Sequence, residues 1–235
     1  MWPVRRKGPV ELEGKGTMPK VSVVVSTYRR LENLERILAA WLTQVNDVWL
    51  ADSSGKFETK LPINHVRFSP DPGNKTRHAV ALLTEGDYMI KADDDVLPKP
   101  GLIEALLNYS YLGGILGLMG RTFQGPRYYG NTTPFRAREI TQPKEVDMVG
   151  ILTFAPREFL AFDLRGCGTS IEDLFWHMKA FPRVKKFVVP TGAYEQLPES
   201  DDRECLFRNR TARVERERFY KTYYTEHCKW TRQNT

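Results

Sequence analysis

The chain has 235 residues, 41% of them hydrophobic and 11% aromatic, an ordinary globular composition that excludes wholesale disorder. Its net charge of +6 sits at the ends: residues 1–20 and 201–235 each carry three excess basic side chains, and the body between them is neutral. Basic ends suit an anionic partner engaged at the periphery, nucleic acid or a phospholipid surface, and they suit solubility equally.

Residues 1–20 hold Pro3, Gly8, Pro9, Gly14, Gly16 and Pro19 among charges, which predicts a flexible basic N-terminal arm. The arm lacks the apolar stretch of a signal peptide. No apolar run anywhere approaches the roughly 20 residues of a membrane-spanning helix, so no transmembrane segment is expected. Cys167, Cys205 and Cys228 are widely spaced and make neither a disulfide framework nor a zinc pattern. A cytoplasmic protein is the expectation.

Structure begins with the β-branched run Val21-Ser22-Val23-Val24-Val25-Ser26, which reads as a buried parallel strand. Leu34, Ile37, Leu38, Trp41 and Leu42 form one apolar helical stripe. Short strands follow at Val48–Leu50, which leads to Asp52 and the turn Ser53-Ser54-Gly55, and at Val66–Phe68. A helix is expected over Lys75–Thr84, closed by Gly86 as its C-terminal cap. The strand Tyr88–Ala92 then runs into Asp93-Asp94-Asp95 and a Pro-Lys-Pro-Gly turn.

Three adjacent carboxylates at a strand end repel one another, and a divalent cation removes that cost. Side chains alternate in extended chain, so Asp93 and Asp95 can converge on one ion while Asp94 points elsewhere. Mg²⁺ or Mn²⁺ suits such an all-oxygen pair. Together with Ser26-Thr27-Tyr28-Arg29 and Asp52, these residues end three strands of a β-α-β-β-α-β pattern. Open α/β sheets bind ligands at such carboxyl ends, so this half reads as a nucleotide site.

The second half predicts a helix over Leu102–Leu112 and a strand over Ile115–Met119. Residues 120–145 interleave Arg121, Arg127, Arg136 and Arg138 with Phe123, Tyr128, Tyr129 and Phe135. Such a segment can stack bases or sugars and pair with phosphates, or form a surface hairpin. A strand over Val146–Phe154, broken at Gly150, leads to a short helix with Phe159, Leu160 and Phe162. Thr169 or Ser170 is expected to cap a helix opening with Ile171-Glu172-Asp173 and carrying His177. Phe187–Val189 is the last predicted strand, and residues 199–235 form a charged extension, helical around Arg213–Tyr224.

Four motifs in order resemble the nucleotide-sugar glycosyltransferases of the GT-A fold, closest in pattern to the inverting family 2. They are Val21-Ser-Val-Val-Val-Ser-Thr-Tyr-Arg, Asp52 with its turn, Gly73-Asn-Lys-Thr-Arg-His ahead of the aspartates, and Ile171-Glu-Asp. Lys91-Ala-Asp-Asp-Asp-Val departs from the family's usual Asp-x-Asp-Asp and is similar to the pattern of Golgi-type transferases. The Gln-x-x-x-Arg-Trp motif of processive synthases is missing, which excludes a polymer-extruding synthase.

The resemblance implies a single α/β domain over 21–198, a Rossmann-like mixed sheet flanked by helices. Its donor half would be 21–95 and its acceptor half 96–198, with basic extensions at both ends. It implies a UDP-sugar donor contacted by Ser26, Thr27, Tyr28, Arg29, Asp52, Arg77, Asp93 and Asp94. Mn²⁺ or Mg²⁺ would be held by two of the three aspartates, Asp93 and Asp95 or with Asp94 in place of one of them, with His177 (or His227) as third ligand. Asp173 would be the general base, ionised by the helix dipole, with Glu172 as runner-up. The expected acceptor is a glycan or a hydroxymethylated base in DNA. Two alternatives stand beside this reading: a non-catalytic nucleic-acid-binding protein, and a sugar-phosphate nucleotidyltransferase. The latter lacks its glycine-rich loop after the first strand, where Ser26-Thr-Tyr-Arg-Arg stands.

Overall fold

The valine run after residue 20 tolerates almost no polar interruption because its strand has neighbours on both edges and helices on both faces. The computed structural model describes residues 18–160, 165, 167–180, 182–198 and 210–233, with backbone alone for 160 and 225–233. The expectations for the rest of the arm, for Phe162, for 199–209 and for the His227 side chain lie outside the described residues. β1 (Val21–Thr27) is parallel to β2 (Asp47–Asp52) on one side and to β4 (Tyr88–Asp93) on the other. β3 (Asn64–Arg67) extends the sheet beyond β2. Beyond β4 come β9 (Met148–Pro156), β6 (Ile115–Phe123), β10 (Lys186–Val188) and β8 (Lys144–Val146), with β7 (Thr132–Arg136) folded back on β6. The β4–β9 and β9–β6 pairs are antiparallel, so the nine-stranded sheet is mixed, and the chain is one α/β domain.

Alternation along β1 divides the core. Val21, Val23 and Val25 cluster with Leu34, Ile37, Leu38 and Trp41 of α1 (Leu34–Leu42) and Leu102 and Leu106 of α3 (Leu102–Asn108). Val24 joins Ala51, Met89, Val80 and Ala81, the last two from α2 (Lys75–Ala81). Each large side chain so buried stabilises the fold by about 1.5–3 kcal/mol. Among the described residues no helix is long and apolar enough to cross a membrane.

Several boundaries differ from expectation for local reasons. α2 stops at Ala81, and Gly86 is no cap: its N–H donates to Ser22 Oγ at 2.9 Å, and a Cβ there would run into Ser22. Close approach to β1 selects that glycine. The expected helix 102–112 divides into α3 and a 3₁₀ turn, Ser110–Leu112, closed by Gly113 at φ 65°. Gly150 does not break β9; the irregularity falls beside it, at Ile151 with φ 55° and at a register shift between Gly117 and Met119. β5 (Val96–Pro98) and β11 (Tyr194–Gln196) pair with each other and are too short to carry a sequence signal.

One glycine lets the turns before α2 and α4 (Glu172–Leu174) touch. Gly73, at φ 83°, precedes α2, and a Cβ on it would strike the Thr169 carbonyl. The next N–H, of Asn74, donates to that carbonyl at 2.9 Å. The turn before α2 is thus pressed against the turn before α4. Gly73→Ala adds a clash to left-handed strain and should lower stability in urea unfolding by about 2–3 kcal/mol. Gly55→Ala, at φ 64° in open space, should cost only about 1 kcal/mol. Equal losses would mean that the Gly73–Thr169 contact holds nothing.

Candidate functional site

Parallel register aligns the polar strand ends: Ser26 lies beside Asp93, and Thr27 beside Asp52. From β1 the chain builds β2 and β3 to one side and β4 to the other, so strand order reverses between β1 and β4. Ligands of open α/β sheets bind at that switch point. Asp94 is occupied on both oxygens, by Thr27 Oγ1 donating at 2.8 Å and by an ion pair with Arg30. Burial pushes its carboxyl up to about 7, against the pull of Arg30 and Thr27. Arg30 also donates to Asp95 Oδ2 at 3.0 Å, and Arg77 donates to Asp93 Oδ1 at 2.5 Å.

Much of the repulsion among the aspartates is therefore relieved from within, by two guanidiniums. Two oxygens remain. Asp95 Oδ1 is buried with no hydrogen-bond partner, and Asp93, with its side chain 31% exposed, has no protein partner on Oδ2 among the described residues. A hard divalent cation fits that pair, with phosphate or water completing its shell. Among the described residues no three His, Cys, Asp or Glu side chains gather as a ready-made metal set. His177 does not join the aspartates. It is buried in a π-helical turn (Phe175–Ala180), its Nε2 lies 3.0 Å from the Val149 carbonyl, and burial and nearby Lys186 and Lys91 push it down to about 3.

The other wall of the site is α4. Glu172 is wholly buried between Lys91 Nζ at 2.6 Å and Arg77 Nε at 3.0 Å. Despite burial, Lys91 and Arg77 hold its carboxyl down at about 2. Burial pulls Lys91 down to about 8 against Glu172, and its ammonium sits 3.4 Å from the Trp176 ring centroid. Both Glu172 oxygens are thus engaged by cations, and the residue ties β4 to α2. Asp173 accepts two bonds of 2.8 Å from Arg216 of α5 (Arg210–Gln233) and one of 2.9 Å from Leu174 N–H. Arg216, with these bonds, holds the carboxyl well below the usual range in spite of burial. Asp173 stands in the first turn of a helical segment that continues from α4 into the π turn. Ser170 does not cap that helix: its N–H and hydroxyl both bond Glu215. The cavity lined by Arg77, Lys91, Gly150, Glu172, Asp173 and Trp176 measures about 10 Å³, room for about one water.

Asp52 is occupied within the protein. Fully buried, it accepts from Ser54 N and Oγ, Gly55 N and His65 Nε2, and so braces its own turn with no surface left for a base or ribose. Tyr28 is 44% exposed at the mouth of the site, with Arg29 bonded to its hydroxyl at 3.0 Å. The arginine-rich insert is largely a packed hairpin. Phe123, Tyr128 and Tyr129 cluster with Tyr220, Arg121 donates to Thr132, and the Arg138 guanidinium lies 4.5 Å from the Tyr194 centroid.

Four residues escaped the sequence reading. Lys91 had a signal, since a lysine inside an apolar strand needs a buried partner. Arg30 had a weaker one, as counter-charge to three aspartates. Trp176 and Arg216 had none. No family model and no curated protein matches the chain.

Glu172→Gln leaves Lys91 and Arg77 facing a neutral group and should cost about 3–5 kcal/mol at pH 7. The carboxyl lies below its ordinary 4.5, so its contribution is whole above that pH and is lost as pH falls toward about 2. The stability gap between wild type and variant should narrow across that window in urea titrations. A gap constant with pH would mean that no such ion pair forms.

Proposed function

We propose that the chain is a metal-dependent inverting glycosyltransferase of GT-A type, moving a sugar from a UDP-sugar to an acceptor hydroxyl. The observation that carries this reading is the coincidence of two unpartnered carboxylate oxygens, on Asp93 and Asp95, with the β1–β4 switch point. Ser26, Thr27, Tyr28 and Arg29 line the exit of β1, where the nucleoside binds, and Asp52 acts through the turn it braces. Asp93 and Asp95 would hold Mn²⁺ or Mg²⁺, which would supply positive charge where the diphosphate leaves. Arg77, fixed between Asp93 and Glu172, adds a cation that cannot swing away. Asp173 would take the acceptor's proton once Arg216 yields one of its oxygens, while the acceptor oxygen bonds to the anomeric carbon and the bond from that carbon to UDP breaks; a base on the face opposite the leaving group gives inversion. The acceptor is a glycan or a hydroxymethylated base in DNA, the latter extruded at a cost of a few kcal/mol.

The paired state of Asp173 and the 10 Å³ cavity beside it favour a second reading, a nucleic-acid-binding protein that keeps the fold without the reaction. A panel of UDP-, GDP- and CMP-sugars with Mn²⁺ separates the two. The transferase reading expects a rise in melting temperature and slow hydrolysis with a UDP-sugar, both abolished by EDTA and by Asp95→Ala. That variant keeps Arg30 paired with Asp94 and should fold. No shift with any donor defeats the transferase, and a product retaining the donor's anomeric configuration defeats inversion.

A further inference from the structure

A second concave surface lies between α5 and the hairpin that joins β6 to β7. It is an open cleft of about 390 Å³ lined by Tyr129, Arg210, Arg213, Val214 and Glu217. Ligand pockets span about 300–1,000 Å³. The four α5 residues follow i, i+3, i+4, i+7 and share one helical face, while Ala212, Arg216 and Tyr220 are buried on another. Glu217 is held to the hairpin by the Tyr128 N–H at 2.7 Å. Among the described residues Arg210 and Arg213 face no carboxylate ion-pair partner, and the Arg213 guanidinium lies 4.7 Å from the Tyr129 centroid.

We infer that this cleft binds the phosphodiester backbone of a single nucleic-acid strand. Two guanidinium forks one helical turn apart match phosphate oxygens in a way that ammonium groups do not. Arg213 covers the Tyr129 ring, which removes the bare aromatic face a neutral sugar would stack on. A base instead meets the outer face of that guanidinium, beside Val214, which is 56% exposed. The cleft also belongs to the basic end of the chain, residues 201–235. Tyr129 stands edge-on to Tyr128 at 4.8 Å, and the Tyr128 hydroxyl accepts from Arg216, which holds Asp173. The cleft is thus one aromatic layer from the candidate base. That the strand is the acceptor rests on the transferase reading; that it binds does not.

The test is fluorescence anisotropy with a labelled thymidine oligonucleotide and no sugar nucleotide. Arg210→Gln/Arg213→Gln should weaken binding at least about tenfold at low salt and flatten the log K against log salt slope by about 1.4, two phosphate contacts at about 0.7 each. Arg36→Gln/Lys60→Gln removes the same charge far from the cleft and should change affinity less than about twofold. Circular-dichroism melts confirm that both variants fold. The inference is overturned if wild type does not bind, if both double variants lose equally, or if labelled heparin binds as tightly with the same loss in the cleft variant. Because no donor is present, this assay can succeed where the donor panel fails, and the reverse.

Discussion

Arg77 is the residue on which the site's architecture depends. It rises from α2, gives one nitrogen to Asp93 at the end of β4 and another to Glu172 at the start of α4. Around it five carboxylates (Asp93, Asp94, Asp95, Glu172, Asp173) face four cations (Arg30, Arg77, Lys91, Arg216). Buried charge is costly unless paired and hydrogen-bonded, so each member of this set is held in place by the need of its neighbours. Lose one and the penalty falls on a partner that has little access to water, most of all Lys91 and Glu172.

The four cations come from four places: the exit of β1, α2, the middle of β4, and α5. Elements distant in sequence are therefore drawn to one spot by charge as much as by apolar packing. Gly73 permits it, since only a residue without Cβ lets the turn before α2 touch Thr169 and bring Arg77 within reach of Glu172. Polar networks of this kind are rigid when fully satisfied. Two oxygens of that network, on Asp93 and Asp95, keep no protein partner among the described residues.

α5 has a double part. Glu215 bonds Ser170, Arg216 clamps Asp173, and Glu217 bonds the Tyr128 N–H, so three consecutive charged residues fasten the helix to the turn before α4, to α4 and to the β6–β7 hairpin. Its neighbouring face presents Arg210 and Arg213 to solvent. One helix thus carries both the arginine that clamps Asp173 and the two arginines that line the cleft.

Period and composition by themselves determined the α/β class, the parallel strands β1 to β4 and the helices α1 and α2, because each buries a run long enough to show its repeat. They also marked the three aspartates, whose mutual repulsion is legible without coordinates. Tertiary structure decided how that repulsion is met. Arg30 and Arg77 neutralise the aspartates, His177 turns to a backbone carbonyl, Glu172 is sealed among cations, and Arg216 reaches Asp173 from 43 residues along the chain. Such pairings obey no local spacing. They depend on which charges the sheet and helices bring together out of water, and only the folded chain specifies that.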